Sequence, residues 1–386
     1  MNISGLYIHI PICSRICTYC DFVKTARWGQ DLNRAFLNSL LRHIKFWIEK
    51  TSFQTLSSIN VGGGTPSLWA EEYFEIFDLL KDFITPETEV TLEANPINIS
   101  EERLQIWKAC GFNRISLGIQ TFEPKGLKLL GRDHSPQQAK DAFLQTQNLF
   151  PRANLDMIYG WPTQTLQDLR HDLQKIEDLN PSHISLYNLE YPKKTVLGRQ
   201  LSRGKIRPQT ETVLEDMYTM ICTTLNQRSY NHHEVSNWSQ PGETCRHNML
   251  YWENGFWIGV GPGAAGLLPP TKDFPYGNMY QYKDSIHSFM KEEPSFNNLC
   301  IEKDRDMDSW IAEIIGRSLR TKNGVPLEYL LTTTRSTWEP SSSVRHALET
   351  KQATLQKGFL IFEERQWLRE TAWCVEVMSS LRHSNF

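Results

Sequence analysis

No run in this 386-residue sequence is apolar enough for long enough to cross a membrane. The most apolar later stretch, GFWIGVGPGAAGLLPP, is interrupted by glycine and proline and falls short of the roughly 20 residues that a spanning helix needs. The opening MNISGLYIHIPIC has no basic segment ahead of its short apolar run, so no cleaved secretory signal is expected. An excess of one charge is also missing. Forty-one Lys and Arg stand against 44 Asp and Glu, a net charge of -3, which speaks against a nucleic-acid footprint spread over the chain. Residues 301–386 carry 12 basic and 12 acidic side chains, so the last segment has no phosphate-binding surplus either, and no nucleic-acid partner is expected. Eight cysteines, three of them bunched near the start, do not form the framework of a disulfide-stapled secreted protein. A reducing, cytoplasmic setting fits better, with any membrane association arising through partners. Internal repeats and low-complexity tracts are absent.

What the chain does have is Cys13, Cys17 and Cys20 in HIPICSRICTYCDF, directly after the apolar LYIHI. Three thiolates at C-x3-C-x2-C spacing leave one metal position unfilled. An iron–sulfur cubane tolerates this, because its fourth iron then stays open to a small molecule. A structural zinc would need a fourth ligand, for which His9 or Asp21 could be recruited, but closed zinc sites usually come as two pairs and no second pair is near. Free cysteines are also common core residues, yet spacing this tight would crowd all three onto one turn.

Six short apolar runs recur at βα spacing, from Leu6, Ser58, Glu89, Arg114, Ala153 and His183, and each reads as a buried strand. Amphipathic stretches at 31–49, 70–82, 101–109, 136–148 and 165–179 lie between them. Leu166, Leu169, Leu173 and Ile176 show the helical step in the last of these. The alternation predicts an α/β fold on a parallel sheet, doubly wound or curled into a barrel. Polar residues gather at the strand ends: the cysteines, Gly62 to Thr65, Glu93 with Asn95, Gln120, Asp156, and Tyr187 with Glu190. Parallel α/β enzymes place their sites at that carboxyl edge.

Beyond residue 200 the pattern loosens, with a helix expected at 209–227. We expect three parts: 1–230, a segment 231–296 that extends the barrel or links onward, and a C-terminal unit 297–386. In the last part, helices are expected at 302–322 and near 343–357, stopped by Gly324 and Gly358, with FLIFEERQWLRE as a β-hairpin ahead of a final helix. That order suggests a winged-helix-like α+β module.

CSRICTYC after the first strand, GGGTPS after the second, EANP after the third and GIQTF after the fourth together resemble the radical S-adenosylmethionine (SAM) enzymes. In that superfamily the methionyl amine and carboxylate chelate the open iron of a 4Fe–4S cluster, and reductive cleavage of the sulfonium gives a 5′-deoxyadenosyl radical. The glycine run suits such a ligand, because a backbone without Cβ atoms can be approached closely. LYIHIPIC, RISLGIQTF, LGRDH, NLDMIYGWP, SLYNLE and CRHNMLYW followed by GVGPGA narrow the resemblance to the HemN/HemW group. The resemblance implies a partial (β/α)6 TIM-like barrel with a C-terminal accessory domain. It also implies SAM contacts from Tyr7, Tyr19, Gly63, Gly64, Thr65, Glu93, Gln120, Arg132 and Asp156.

Within the group, the oxygen-independent coproporphyrinogen III dehydrogenases resemble C-x3-C-x2-C-x-C, where this chain has Phe22 in place of the last cysteine, and they carry an extra N-terminal segment that is not expected here. Both departures imply the heme-chaperone branch, linked to porphyrin biosynthesis, with heme or a porphyrinogen as ligand and heme-acceptor proteins as partners. Coproporphyrinogen dehydrogenase activity is then not expected, although it is the alternative. The H-N-x-x-Y-W motif of that branch stands as His247, Asn248, Tyr251 and Trp252, which makes His247 a heme-ligand candidate beside Cys245. A histidine in an aromatic cluster can equally be a hydrogen-bonded packing residue. His232 and His233 depart from the Tyr common before the E-x-S-N at Glu234 to Asn237.

Overall fold

The computed structural model describes residues 2–27, 29–51, 53–301 and 305–382. All six expected strands form: β1 Gly5–Ile10, β2 Ser58–Gly63, β3 Glu89–Ala94, β4 Arg114–Gln120, β5 Ala153–Tyr159 and β6 His183–Asn188. They lie side by side in chain order with every junction parallel. The helices Gln30–Lys50, Glu72–Leu80, Glu101–Cys110, Pro136–Leu149 and Leu166–Leu179 return the chain between them. The last is opened by a capping box between Thr165 and Asp168 and closed at Asn180, whose φ of 45° ends the helical run.

A two-residue period sorts these strands onto two faces. Leu6, Ile8, Ile59, Val61, Leu92, Leu117, Leu155 and Ile184 are fully buried and share one core with helix residues such as Leu40, Trp47 and Ile176. Each such aliphatic side chain contributes roughly 1.5–3 kcal/mol by leaving water. The alternate positions are polar: His9, Asn60, Glu93, Ser116, Asn154, Asp156 and Ser185. One face of the parallel sheet is therefore glued to helices, and the other is a polar surface where a ligand can be gripped.

Residues 231–301 widen this sheet at both edges. Beside β6 stand β7 Asn231–Glu234 and β8 Asn237–Ser239, with β8 antiparallel to both β6 and β7. On the other side β9 Trp257–Val260 runs parallel to β1, followed by antiparallel β10 Ala265–Leu268, β11 Asn278–Tyr282 and β12 Leu299–Ile301. The order across the twelve strands is β12-β11-β10-β9-β1-β2-β3-β4-β5-β6-β8-β7.

Residues 305–382 enclose a second apolar cluster that includes Trp310, Ile311, Ile315, Leu330, Val344, Leu360 and Val377. The helix expected at 302–322 spans Met307–Ser318, capped by the Asp306 carboxylate accepting from the Ser309 N–H; residues 302–304 lie outside the described residues. An unexpected helix, Leu327–Thr334, precedes β13 Thr337–Trp338. The expectation for 343–357 needs correction: the helix is only Ser342–Glu349, and Ala353–Gln356 is a strand, β14, paired with β15 Phe359–Phe362. Lys357 and Gly358 have φ of 49° and 81°, the two consecutive positive values of a tight hairpin turn, so Gly358 turns a hairpin and does not stop a helix. Of FLIFEERQWLRE only the first four residues are strand, and Glu364–Arg369 forms a 3-10 turn. Helix Glu370–Ser379 and β16 Leu381–Arg382, paired with β13, complete the unit.

Candidate functional site

A cavity of about 450 Å³ opens where β1 to β6 end. The β1 loop brings Cys13, Cys17, Tyr19 and Cys20 to it, the β2 loop Gly63, Gly64 and Thr65, and the strands themselves Glu93, Gln120 and Asp156. Arg132 reaches it from beyond β4. The structure thus gathers the three cysteines and every expected SAM contact except Tyr7; the heme-ligand candidates His247 and Cys245 are not in its lining either.

The cysteine loop is pinned at several points. Its start and end pair with each other, Cys13 N–H donating to Thr25 O at 2.9 Å and Thr25 N–H to Pro11 O at 2.7 Å. Thr65 N–H donates to Ile12 O at 2.6 Å, which ties the β1 loop to the β2 loop. Gly64 sits so close beneath them that a Cβ there would lie 2.5 Å from Ile12 O and 3.0 Å from Cys13 Sγ. Gly63 has a φ of +117° and lies under the His9 ring. The glycine run is therefore demanded first by the protein's own packing. The LGRDH segment holds the loop from the far side: Thr18 N–H donates to Leu130 O and the Thr18 hydroxyl to Leu129 O, while Gly131, at φ 73°, turns the chain so that Arg132 points back.

Arg132 donates from Nη1 to Cys17 Sγ at 3.2 Å and from Nη2 to Gly118 O at 2.7 Å. Burial works against its charge, but Tyr19, Cys17 and Asp133 raise its pKa, so a buried cation stands beside one of the three sulfurs. Burial pushes the Cys13 thiol up to about 11 against the pull of the Thr65 hydroxyl, and burial also raises Cys20 against the pull of Lys24. Such thiols give up their protons when a metal arrives. None of the three is in a disulfide. Among the described residues no three His, Cys, Asp or Glu side chains form a group poised around one ion. A single zinc requires that convergence; a cubane does not, since each thiolate takes a different iron. Of the alternative zinc ligands, His9 is engaged elsewhere, bonding the Tyr7 hydroxyl at 2.9 Å and Val23 O at 2.8 Å. Three free thiols on one wall fit an iron–sulfur cluster.

The same cavity holds two carboxyls. Glu93 accepts from Asn60 Nδ2 at 3.2 Å and Gly63 N–H at 3.3 Å; burial and the neighbouring Asp156 push its pKa up to about 7. Asp156 accepts from the Ser116 hydroxyl at 2.7 Å and Asn154 Nδ2 at 2.8 Å, and burial raises it too. Two buried carboxyls, of which Asp156 feels the Arg114 guanidinium and Glu93 no cation, make a receptor for a positively charged, hydrogen-bonding ligand. Gln120 stands at a β-bulge with φ 72°, its amide over Gly118. Asn60, Ser116 and Asn154, which orient the two carboxyls, were not singled out from the sequence. Their signal is polarity on the same strand face as Glu93 and Asp156, two residues removed or directly across.

His247 lies at the other end of the strands. Nδ1 bonds the hydroxyl of Ser58, the first residue of β2, at 2.9 Å; Nε2 bonds the Tyr251 hydroxyl at 2.7 Å; and its N–H donates to Glu89, the first residue of β3, at 3.0 Å. Burial pushes its pKa down to about 4, so it is a neutral imidazole with both nitrogens in use. Glu89 is also bonded by Arg152 at 2.9 Å and by the Cys245 thiol at 3.4 Å. The helix Arg246–Trp252 thus seals the amino-terminal end of the strands, away from the cysteines.

The profile of the radical SAM superfamily matches residues 7–176. The chain is 36% identical over 330 residues to the heme chaperone HemW of Lactococcus lactis, covering 84% of this chain and 83% of that protein. It is 34% identical over 287 residues to the heme chaperone HemW of Escherichia coli, covering 73% and 74%. Among solved structures, the coproporphyrinogen III oxidase HemN of Escherichia coli, a radical SAM enzyme, matches with a TM-score of 0.76 at 19% identity over 97% of this chain and 90% of that one. That likeness shows the fold: the α/β architecture expected from the sequence is the radical SAM one.

Proposed function

This chain belongs to the HemW family of the radical SAM superfamily, and from that premise we propose that it is a heme chaperone, which binds heme, a 4Fe–4S cluster and SAM and passes heme to acceptor proteins. The observation that carries the reading is identity of 36% to a heme chaperone along more than four-fifths of both chains. The cavity supports the cofactor part. Cys13, Cys17 and Cys20 would hold the cluster, and Tyr19, Gly63, Gly64, Thr65, Glu93, Gln120, Arg132 and Asp156 would surround SAM. When bound, this pair supplies one-electron reductive cleavage of the sulfonium. Glu93, with a pKa near 7, releases its proton as a cationic amine arrives, and the Arg132 guanidinium holds Cys17 Sγ by a hydrogen bond. Pro66, Ile158 and Leu189 give the cavity apolar wall that keeps water away.

The dehydrogenase alternative is opposed by Phe22, which stands 61% exposed in the cavity lining, two residues after Cys20, where those enzymes carry a fourth cysteine. Cluster-loaded protein is incubated anaerobically with SAM, a strong reductant and coproporphyrinogen III, and titrated separately with hemin. We expect stoichiometric hemin binding and no decarboxylated porphyrin. Conversion to protoporphyrinogen would overturn the chaperone reading, and so would failure to bind hemin.

A further inference from the structure

A second cavity, of about 940 Å³, lies between the β9–β10 side of the sheet and the C-terminal unit. It has about twice the volume of the first, which already has a cluster and SAM to accommodate. Cavities of roughly 300–1,000 Å³ hold ligands of cofactor size. Its apolar lining includes six aromatic residues, Trp252, Phe256, Tyr276, Trp310, Tyr329 and Phe359, beside aliphatic residues and prolines. Tyr276 and Trp310 lie 5.2 Å apart at 32°, Trp310 and Tyr329 6.2 Å apart at 65°, and Tyr329 and Phe359 are 46% and 37% exposed. Such rings offer large apolar faces to a flat partner.

The charge of the lining has one sign in excess. Arg305, Lys322 and Lys357 stand against a single carboxylate, Glu253. Arg305 is spent on Tyr276 O and Glu313, and Glu253 accepts from Asn323 Nδ2 at 3.0 Å. Two exposed lysines on two turns, Lys322 after helix Met307–Ser318 and Lys357 at the tip of the β14–β15 hairpin, remain; Lys322 also feels the Glu364 carboxylate outside the lining, and both can meet anionic groups in the cavity. A flat apolar ring with two carboxylates has the shape and charge of a porphyrin. Resting on the heme-chaperone reading, we propose that heme is carried in this second cavity, its macrocycle against the aromatic residues and its propionates at Lys322 and Lys357, apart from the cysteine loop. Among the described residues the lining contains no His, Cys or Met, the commonest heme-iron ligands. Recognition therefore rests on the ring and the propionates more than on the iron, which suits a protein that must release its cargo.

The full-length, cluster-loaded chain is titrated with hemin and, separately, with metal-free protoporphyrin IX, following tryptophan fluorescence and porphyrin absorption. Wild type should bind both with affinities within about tenfold of each other. Lys322→Glu with Lys357→Glu, two exposed turn positions, should weaken both ligands at least tenfold, and Tyr329→Ala several-fold, with cluster content unchanged. Hemin binding undiminished in these variants, or binding of hemin without protoporphyrin, overturns this site while leaving the chaperone reading in place. A wild type that binds neither overturns both.

Discussion

Glu93→Gln isolates the electrostatics of the proposed SAM site. Glu93 has its pKa lifted from an ordinary 4.5 to about 7 by burial and by Asp156. A raised native pKa means that the folded chain holds the proton more tightly than the unfolded one. The stability this provides is present in full below about pH 4.5 and is lost as pH rises through 7. At 1.36 kcal/mol per pKa unit the loss is about 3 kcal/mol. A neutral glutamine of the same shape does not incur it. Cluster-free Glu93→Gln should match wild type near pH 5 and exceed it by up to about 3 kcal/mol at pH 8, measured by urea unfolding under anaerobic, reducing conditions. Asp156 titrates in both proteins, so their difference reports Glu93 and its repulsion of Asp156. The same variant should bind SAM at least tenfold more weakly at pH 8, since the ammonium loses an ionic acceptor. A stability difference that is the same at pH 5 and pH 8, or a destabilised variant at pH 8, would refute the reasoning.

Three further outcomes are expected. Cys17→Ser should leave a folded chain that, after anaerobic reconstitution, has lost the visible absorption and most acid-labile sulfide of a 4Fe–4S cluster; an intact cluster would end the three-thiolate assignment. Gly64→Ala puts a methyl 2.5 Å from Ile12 O, a backbone atom that cannot swing aside, so it should cost roughly 1–3 kcal/mol and lower cluster loading; wild-type iron content would show that the loop is free to shift. His247→Ala leaves the Ser58 and Tyr251 hydroxyls without their partner and should lower stability by about 1–3 kcal/mol while hemin affinity stays within twofold; a large loss of hemin affinity with unchanged cluster content would instead make it a ligand.

Much of the site was legible because its chemistry depends on sequence-local spacing. Cys13, Cys17 and Cys20 share one loop, and Gly63, Gly64, Glu93 and Gln120 sit at or near strand ends, so a count of strands already brings them to one edge, whereas Asp156 lies mid-strand in β5. Asn60, Ser116 and Asn154 went unread because their importance comes from cross-strand neighbours: Asn60 faces Thr91 and reaches Glu93, and Ser116 reaches Asp156 from the next strand. The hairpin Ala353–Phe362 was hidden in an apparent helical period, since a short amphipathic strand after a helix continues the same polar and apolar mixture; two positive φ values at Lys357 and Gly358 decide it.

The sequence by itself determined the βα alternation, the three-thiolate loop and the family, because hydrophobic period and motif spacing are properties of the chain alone. Only the tertiary structure decided that 231–301 extends the sheet at both edges, and that His247 closes the amino-terminal end with both nitrogens engaged instead of facing the cavity. It alone joined Trp252 and Tyr276 to Trp310, Tyr329 and Phe359 around a second cavity. Those outcomes depend on which surfaces meet across long stretches of chain, and burial and hydrogen-bond satisfaction select among such meetings only once the whole fold is in place.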